Sequence, residues 1–192
     1  MNLSVYNILA HLISGFLVYL VGLYALELEP NYLDPFMATA VAYLIGYFVN
    51  SISAWVEFIL NWTWSGRPSD QLLVGKGCGR IQFPEWKKIL KLLQKELDNK
   101  KTSADDLFKV AMRKAKNGGR IPEMNGQYAF SRSVLIAILI SVVFLGIPLY
   151  QNIGFWIISL ILILASWYRA KERGFYYAKE VLSEALNKFE KN

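Results

Sequence analysis

Histidine and cysteine, the residues most often used to hold metals or attack substrates, occur once each in this chain, as His11 and Cys78. With one of each there is no HExxH, no CxxC and no cluster at metal-ligand spacing. No intramolecular disulfide can form either, and Cys78 reads as a reduced, structural thiol. A hydrolase would have to use His11 as its base, and no partner for it is evident. No metal, cofactor or catalytic set is therefore expected, and an enzyme is the least supported class. Basic residues are also missing from a long stretch, since no Lys or Arg precedes Arg67. A cleavable leader carries bases ahead of its apolar core, so the first apolar run is expected to be retained.

What the chain does have is apolar length. Of its 192 residues 54% are hydrophobic and only 19% charged, a composition too apolar for an ordinary soluble domain of this size. Four segments hold most of the apolar residues: Leu3 to Leu26, Pro35 to Trp64, Val134 to Tyr150 and Ile153 to Tyr168. About 20 helical residues cross the hydrocarbon core of a bilayer. The first two segments reach that length, and Trp55, Trp62 and Trp64 sit in the later part of the second as an interfacial belt would. The last two are shorter and read as a helical hairpin, with a re-entrant pair as the alternative; Pro148 and two glycines mark the turn between them.

The bases give an orientation. Fifteen of the 21 Lys and Arg fall between Arg67 and Arg132, and six between Arg169 and Lys191. By the positive-inside rule the central segment and the tail are cytoplasmic, as are both termini. The fold class expected is all-α: a polytopic membrane protein with four transmembrane helices in two hairpins and a helical cytoplasmic layer. Residues 1–64 form the first hairpin, 65–129 a basic insert, 130–168 the second hairpin and 169–192 an amphipathic tail helix.

Within the insert, "SGRPSDQLLVGKGCGRIQF" reads as a loop because five Gly or Pro residues interrupt any period. "PEWKKILKLLQKELDNK" reads as a helix with Trp86, Ile89, Leu90, Leu93 and Leu97 on one face. A second helix follows Ser103 as N-cap, with Asp105 and Asp106 in its first turn as dipole partners rather than metal ligands. Leu107, Val110 and Ala111 form its apolar face, and "NGGRIPEMNGQ" ends it. Two such helices are too little for a core of their own, so they need the tail helix, a neighbouring subunit or the membrane surface. The tail offers a stripe of Phe175, Ala178, Leu182, Ala185 and Phe189.

"VGKGCGR" resembles a phosphate loop only superficially, because Lys76 is followed by Gly77 and not by Ser or Thr at a helix start. The excess of bases in the insert points to anionic lipid headgroups rather than nucleic acid. Arg67, Lys76, Arg80, Lys87, Lys88, Lys91, Arg132 and Arg169 are the residues expected to meet headgroups or a partner protein.

The sharper signal lies inside the spans, where an ionisable side chain is costly and marks function by default. Gly46, Asn50, Ser53, Glu57 and Asn61 are spaced 4, 3, 4 and 4, which keeps them on one helical face. Asn7, His11 and Ser14 form a similar stripe on the first helix, with Gly15 and Gly22 as close-packing positions. A His11 to Glu57 pair is the expected meeting point of the two stripes. Such groups serve as interhelical glue, as the lining of a water-filled path, or as a site.

"WYRAKERGFYYAKEVLSEALNKF" after a short hairpin, with "GYFVNSISAWVEF" followed by "SGRPS", resembles the layout of small bacterial four-span membrane proteins. Some proteins of that form are membrane subunits or effectors of anti-phage defence systems. The resemblance implies residence in a bacterial inner membrane, oligomerisation and coupling to a cytoplasmic partner, and it carries over no catalytic residue. Two functions are expected from the whole. One is an oligomeric pore or membrane-perturbing effector lined by Asn50, Ser53 and Glu57; the other is an anchor or sensor whose basic layer recruits a soluble protein. A homo-oligomer is expected in either case, because the polar stripes and amphipathic helices need partners.

Overall fold

The computed structural model describes residues 5–28, 34–97, 103–116 and 119–191. Among them the chain forms eight helices and no strand: α1 (Val5–Ala25), α2 (Pro35–Trp55), α3 (Glu57–Thr63), α4 (Pro68–Leu73), α5 (Trp86–Glu96), α6 (Ala104–Ala115), α7 (Ile121–Gly146) and α8 (Ile153–Lys191). The expected all-α class is what is found, and α1, α2, α7 and α8 are each long and apolar enough to cross a membrane. The chain folds as two compact units, Met1–Glu57 with Gly126–Ala170, and Phe58–Asn125 with Lys171–Asn192.

In the first unit α1 and α2 run antiparallel in backbone contact. A Cβ placed on Gly15 would fall on the Ala42 carbonyl, and one on Gly46 on the His11 carbonyl. Both glycines are needed for lack of a side chain, because both neighbours are main chain and cannot move aside. Small side chains continue the seam: Ala10 and Ser14 on α1, and Ala42 and Ser53 on α2, are all fully or almost fully buried. Close approach through small residues is how apolar helices associate where no hydrophobic force separates them from lipid. Gly22, expected to pack in the same way, has open space around it.

α7 completes this packing. Its Ile136 and Ala137 bury against Val49 of α2, with Leu17, Val18, Ile45 and Ile140 around them. The large apolar residues face outward instead: Leu20 and Tyr24 of α1, Phe36, Leu44 and Phe48 of α2, and Ile157, Ile161 and Leu164 of α8 are exposed. A unit with small and polar residues inside and Leu, Ile and Phe outside is compatible with a lipid surrounding.

Two helix boundaries differ from the sequence expectation. The second apolar segment is not one helix: it breaks at Val56, between α2 and α3. Ser51 and Ser53 just upstream donate their hydroxyls to Tyr47 O (2.9 Å) and Asn50 O (2.7 Å), and such back-bonding bends helices. The third segment is longer than expected, because α7 starts at Ile121, inside the stretch read as the end of α6. Pro122 there stands in the first turn, where its missing N–H has no helical partner to lose. α7 thus has 26 residues, and α8 continues unbroken for 39.

The second unit has an ordinary apolar core. Ile89 and Leu93 of α5, and Leu107, Val110 and Ala111 of α6, pack against Phe175, Ala178, Val181, Leu182 and Ala185 of α8. The docking face expected for the two short helices is therefore the tail stripe. Ser103 caps α6 as expected, accepting from Asp106 N at 3.2 Å. The stretch read as a loop does more than connect, since it holds α4 and sends Leu72, Leu73, Cys78, Ile81 and Phe83 into the core. Its glycines allow a tight reversal in which Cys78 and Ile81 exchange backbone hydrogen bonds of 3.0 and 2.9 Å, with Gly75 (φ +77°) lying against the Trp86 ring. Cys78 is buried and free, in line with a structural thiol.

The α1 and α2 contact yields a contrast that thermal unfolding in detergent would measure. Gly46→Leu should destabilise by about 1–3 kcal/mol or more, since nothing on the opposing main chain can yield. Gly22→Leu should change stability by less than about 0.5 kcal/mol. Equal effects at the two positions would contradict the packing described.

Candidate functional site

The polar residues of the first unit form two small networks. In the first, Asn50 of α2 bridges two other helices. Its Nδ2 lies 3.3 Å from His11 Nε2 on α1, and its Oδ1 accepts the Ser133 hydroxyl of α7 at 2.8 Å. An amide NH2 only donates, so His11 Nε2 acts as acceptor and the neutral ring carries its proton on Nδ1, a buried nitrogen with no hydrogen-bond partner. Tyr43 and Tyr47 close over the same ring edge-on, with centroids 5.2 and 5.9 Å away.

In the second network Glu57, the first residue of α3, meets α7. One carboxylate oxygen pairs with Arg132 Nη1, and the other accepts the Tyr128 hydroxyl at 3.0 Å. Tyr128 and Arg132 are four residues apart, so one face of α7 presents both to the same carboxylate. The guanidinium also lies 4.5 Å above the Tyr128 ring, a cation–π contact that suits Arg. The Arg132 side chain is only 10% exposed and that of Glu57 37%.

The expected His11 to Glu57 pair is therefore not formed. His11 is bound to Asn50, and Glu57 has a stronger partner in Arg132. The cause is the early start of α7, which brings a permanent cation and a phenol into the unit that holds Glu57. Arg132, expected at lipid headgroups, is correspondingly buried in an ion pair. Tyr128 and Ser133 were missed for the same reason; their signal was the spacing of Tyr128, Arg132 and the small residues after them, had "RIPEMNGQYAFSRS" been read as helix.

The other stripe residues behave separately. Ser14 donates to the Ala10 carbonyl of its own helix, and Ser53 does likewise to Asn50 O. Asn61 belongs to the second unit, where its backbone carbonyl accepts Gly66 N–H at 2.8 Å and its buried Oδ1 has no hydrogen-bond partner. The side chain of Asn7 lies outside the described residues. No group of His, Cys, Asp and Glu among the described residues could hold a metal ion, and neither network pairs a nucleophile with a base. What they can do is fasten helices: the first joins α2 to α1 and α7, and the second joins the start of α3 to α7.

Charge is concentrated in the second unit, which contains 19 of the 21 bases against 11 acids, a net charge of +8. Some of the expected contact residues are already engaged there: Arg67 pairs with Asp105 and Lys88 with Glu190. A hydrogen bond and the charge of Lys109 hold the Asp105 carboxyl below its usual range, with Arg67 adding to the effect. Lys76, Arg80, Lys87 and Lys91 are exposed, as is Arg169 of the first unit. In the glycine loop the N–H groups of Gly75, Lys76, Cys78 and Ile81 are bonded within the chain. No protein-family model, curated protein or solved structure matches this chain.

Removing Arg132 should strand the Glu57 carboxylate. Loss of one partner of a fully buried pair costs roughly 3–5 kcal/mol, and the partial exposure of Glu57 reduces this to about 1–3 kcal/mol for Arg132→Met. Adding Glu57→Gln should recover part of that loss, whereas His11→Gln and Glu57→Gln should act additively. Thermal unfolding of the single and double variants checks both statements, and coupling between His11 and Glu57 in place of Arg132 and Glu57 would refute the assignment.

Proposed function

We propose that the chain is an integral membrane protein of four spans that acts as an anchor, holding a basic helical body at the cytoplasmic face for contact with a soluble partner. The observation that carries this reading is that the polar residues of the spans bond to one another within a single chain. Asn50 is used by His11 and Ser133, and Glu57 by Arg132 and Tyr128. Groups bound in this way supply interhelical glue, each contact contributing roughly 0.6–2 kcal/mol. A pore lined by Asn50, Ser53 and Glu57 would need all three turned to water, whereas Ser53 is fully buried and both carboxylate oxygens of Glu57 are engaged by Arg132 and Tyr128.

Topology supports the second half of the proposal. Bases flank spans on the cytoplasmic side, and here they are gathered in the one unit that has an ordinary apolar core. That unit is a folded body with a charged surface, which is what an anchored recruitment module requires. A bacterial inner membrane is the location implied by the resemblance of the span layout.

Planar-bilayer or liposome recordings separate the two expected functions. The purified chain should give conductance no different from empty vesicles across a range of voltages. Discrete openings that disappear on Asn50→Leu substitution would overturn the anchor reading in favour of a pore.

A further inference from the structure

α5 places all its apolar residues on one side and its lysines on the other. Ile89 and Leu93 are wholly buried in the core of the second unit, whereas Lys87, Lys91 and Lys95, each four residues apart, are exposed on the opposite side. None of the three has an ion-pair partner among the described residues. Further exposed bases precede the helix in the chain. Gly75 lies on the Trp86 ring, the Lys87 ammonium sits 5.5 Å from the centroid of that ring, and the exposed Lys76 and Arg80 follow in the same loop.

We infer that this lysine face of α5 is a contact for anionic lipid headgroups, so that it fixes the orientation of the basic body at the membrane surface. The inference rests on the proposal that the first unit spans the membrane, and it names a partner for a face which that proposal leaves bare. Three observations favour lipid over an acidic protein. The side chains are lysines, compact point charges without the fork that reads a fixed carboxylate geometry. Their spacing of about 5–6 Å along one helix suits a fluid array of phosphates. The apolar face of α5 is used internally, so a soluble partner would find charge alone on this side.

Magnitudes decide between the two. An exposed ion pair is worth a factor of roughly one and a half to five, and several together barely recover the thousand-fold or more that two free bodies forfeit on association. A body already tied to spans by its own chain forfeits nothing of the kind. Each lysine near an anionic leaflet then adds roughly a five-fold preference for the docked orientation.

The test uses the full chain in nanodiscs of phosphatidylcholine, with or without phosphatidylglycerol, and reads acylation rates of individual lysines by peptide mass spectrometry. Lys87, Lys91 and Lys95 should react about five-fold more slowly in the anionic discs at low salt, and the difference should vanish at high salt. Lys109 and Lys114, which are paired with Asp105 and Glu96, should react alike in both. Equal rates for the α5 lysines in the two discs would overturn the inference, and so would shielding that appears only on adding polyglutamate as a model acidic partner. The variant Lys87→Glu/Lys91→Glu/Lys95→Glu leaves the buried side of α5 untouched. It should keep its helical circular dichroism and lose the extra amide protection of α5 in anionic discs; retained protection would also overturn the inference. A chain that fails to enter either disc refutes the spanning proposal separately. The lysine face is then read by sedimentation with vesicles of the same two compositions, where absence of an anionic preference overturns it.

Discussion

At Gly15 and Gly46 the helices α1 and α2 touch through their backbones, and everything polar in that unit depends on this distance. A methyl group at either position would force the axes apart. Asn50 is one turn from Gly46 on the same face, and His11 supplies the carbonyl against which Gly46 packs. The amide therefore reaches the imidazole only because no side chain intervenes. Since lipid tails are as apolar as leucine, helix association in a bilayer depends on such close packing and on the hydrogen bonds it permits.

The Glu57 to Arg132 pair extends the same logic to α7. A carboxylate on an apolar helix tolerates few arrangements, and the one adopted gives it a guanidinium and a phenol from successive turns of a single neighbour. Buried pairs add little net stability compared with apolar replacements. Their geometry does pin register: a slide of α7 by one residue past Glu57 would remove both partners at once. Ser133 reinforces this by meeting Asn50 one residue beyond Arg132.

Much of this architecture is legible in the chain, and the exceptions have physical causes. The amphipathic faces of α5, α6 and the tail follow from 3.6-residue periodicity, and each expected apolar position among Ile89, Leu93, Leu107, Val110, Phe175 and Leu182 lies in the core. The Ser103 cap is equally local, and it appears where the side chain predicts. The polar stripe from Gly46 to Asn61 was visible as a pattern, but its partners were not, nor was the break at Val56 that puts Glu57 on α3. Periodicity shows that Asn50 and Glu57 share a face and leaves open which helix they meet. That choice is settled by where α7 begins, and Gly118, Gly119 and Pro122 suggest a loop to any local reading. Composition misled again around α4, where four glycines and Pro68 gave the look of a connector to a stretch that buries five core residues.

The core of the basic unit is discontinuous in sequence, and this bears on how the chain is made. Ile89, Leu93, Leu107 and Ala111 leave the ribosome well before Phe175, Leu182 and Ala185, which cover them. At roughly 5–20 residues per second, the stretch between Ala111 and Phe175 takes several seconds to synthesise. Throughout that interval the apolar faces of α5 and α6 have only each other and the α4 stretch to bury against, while α7 and the first half of α8 still have to be made. The final turns of the longest helix thus act as a completion signal: the body can close only after every apolar segment has been translated. A chain truncated before Phe175 would present that uncovered surface to chaperones and proteases, marking itself as unfinished.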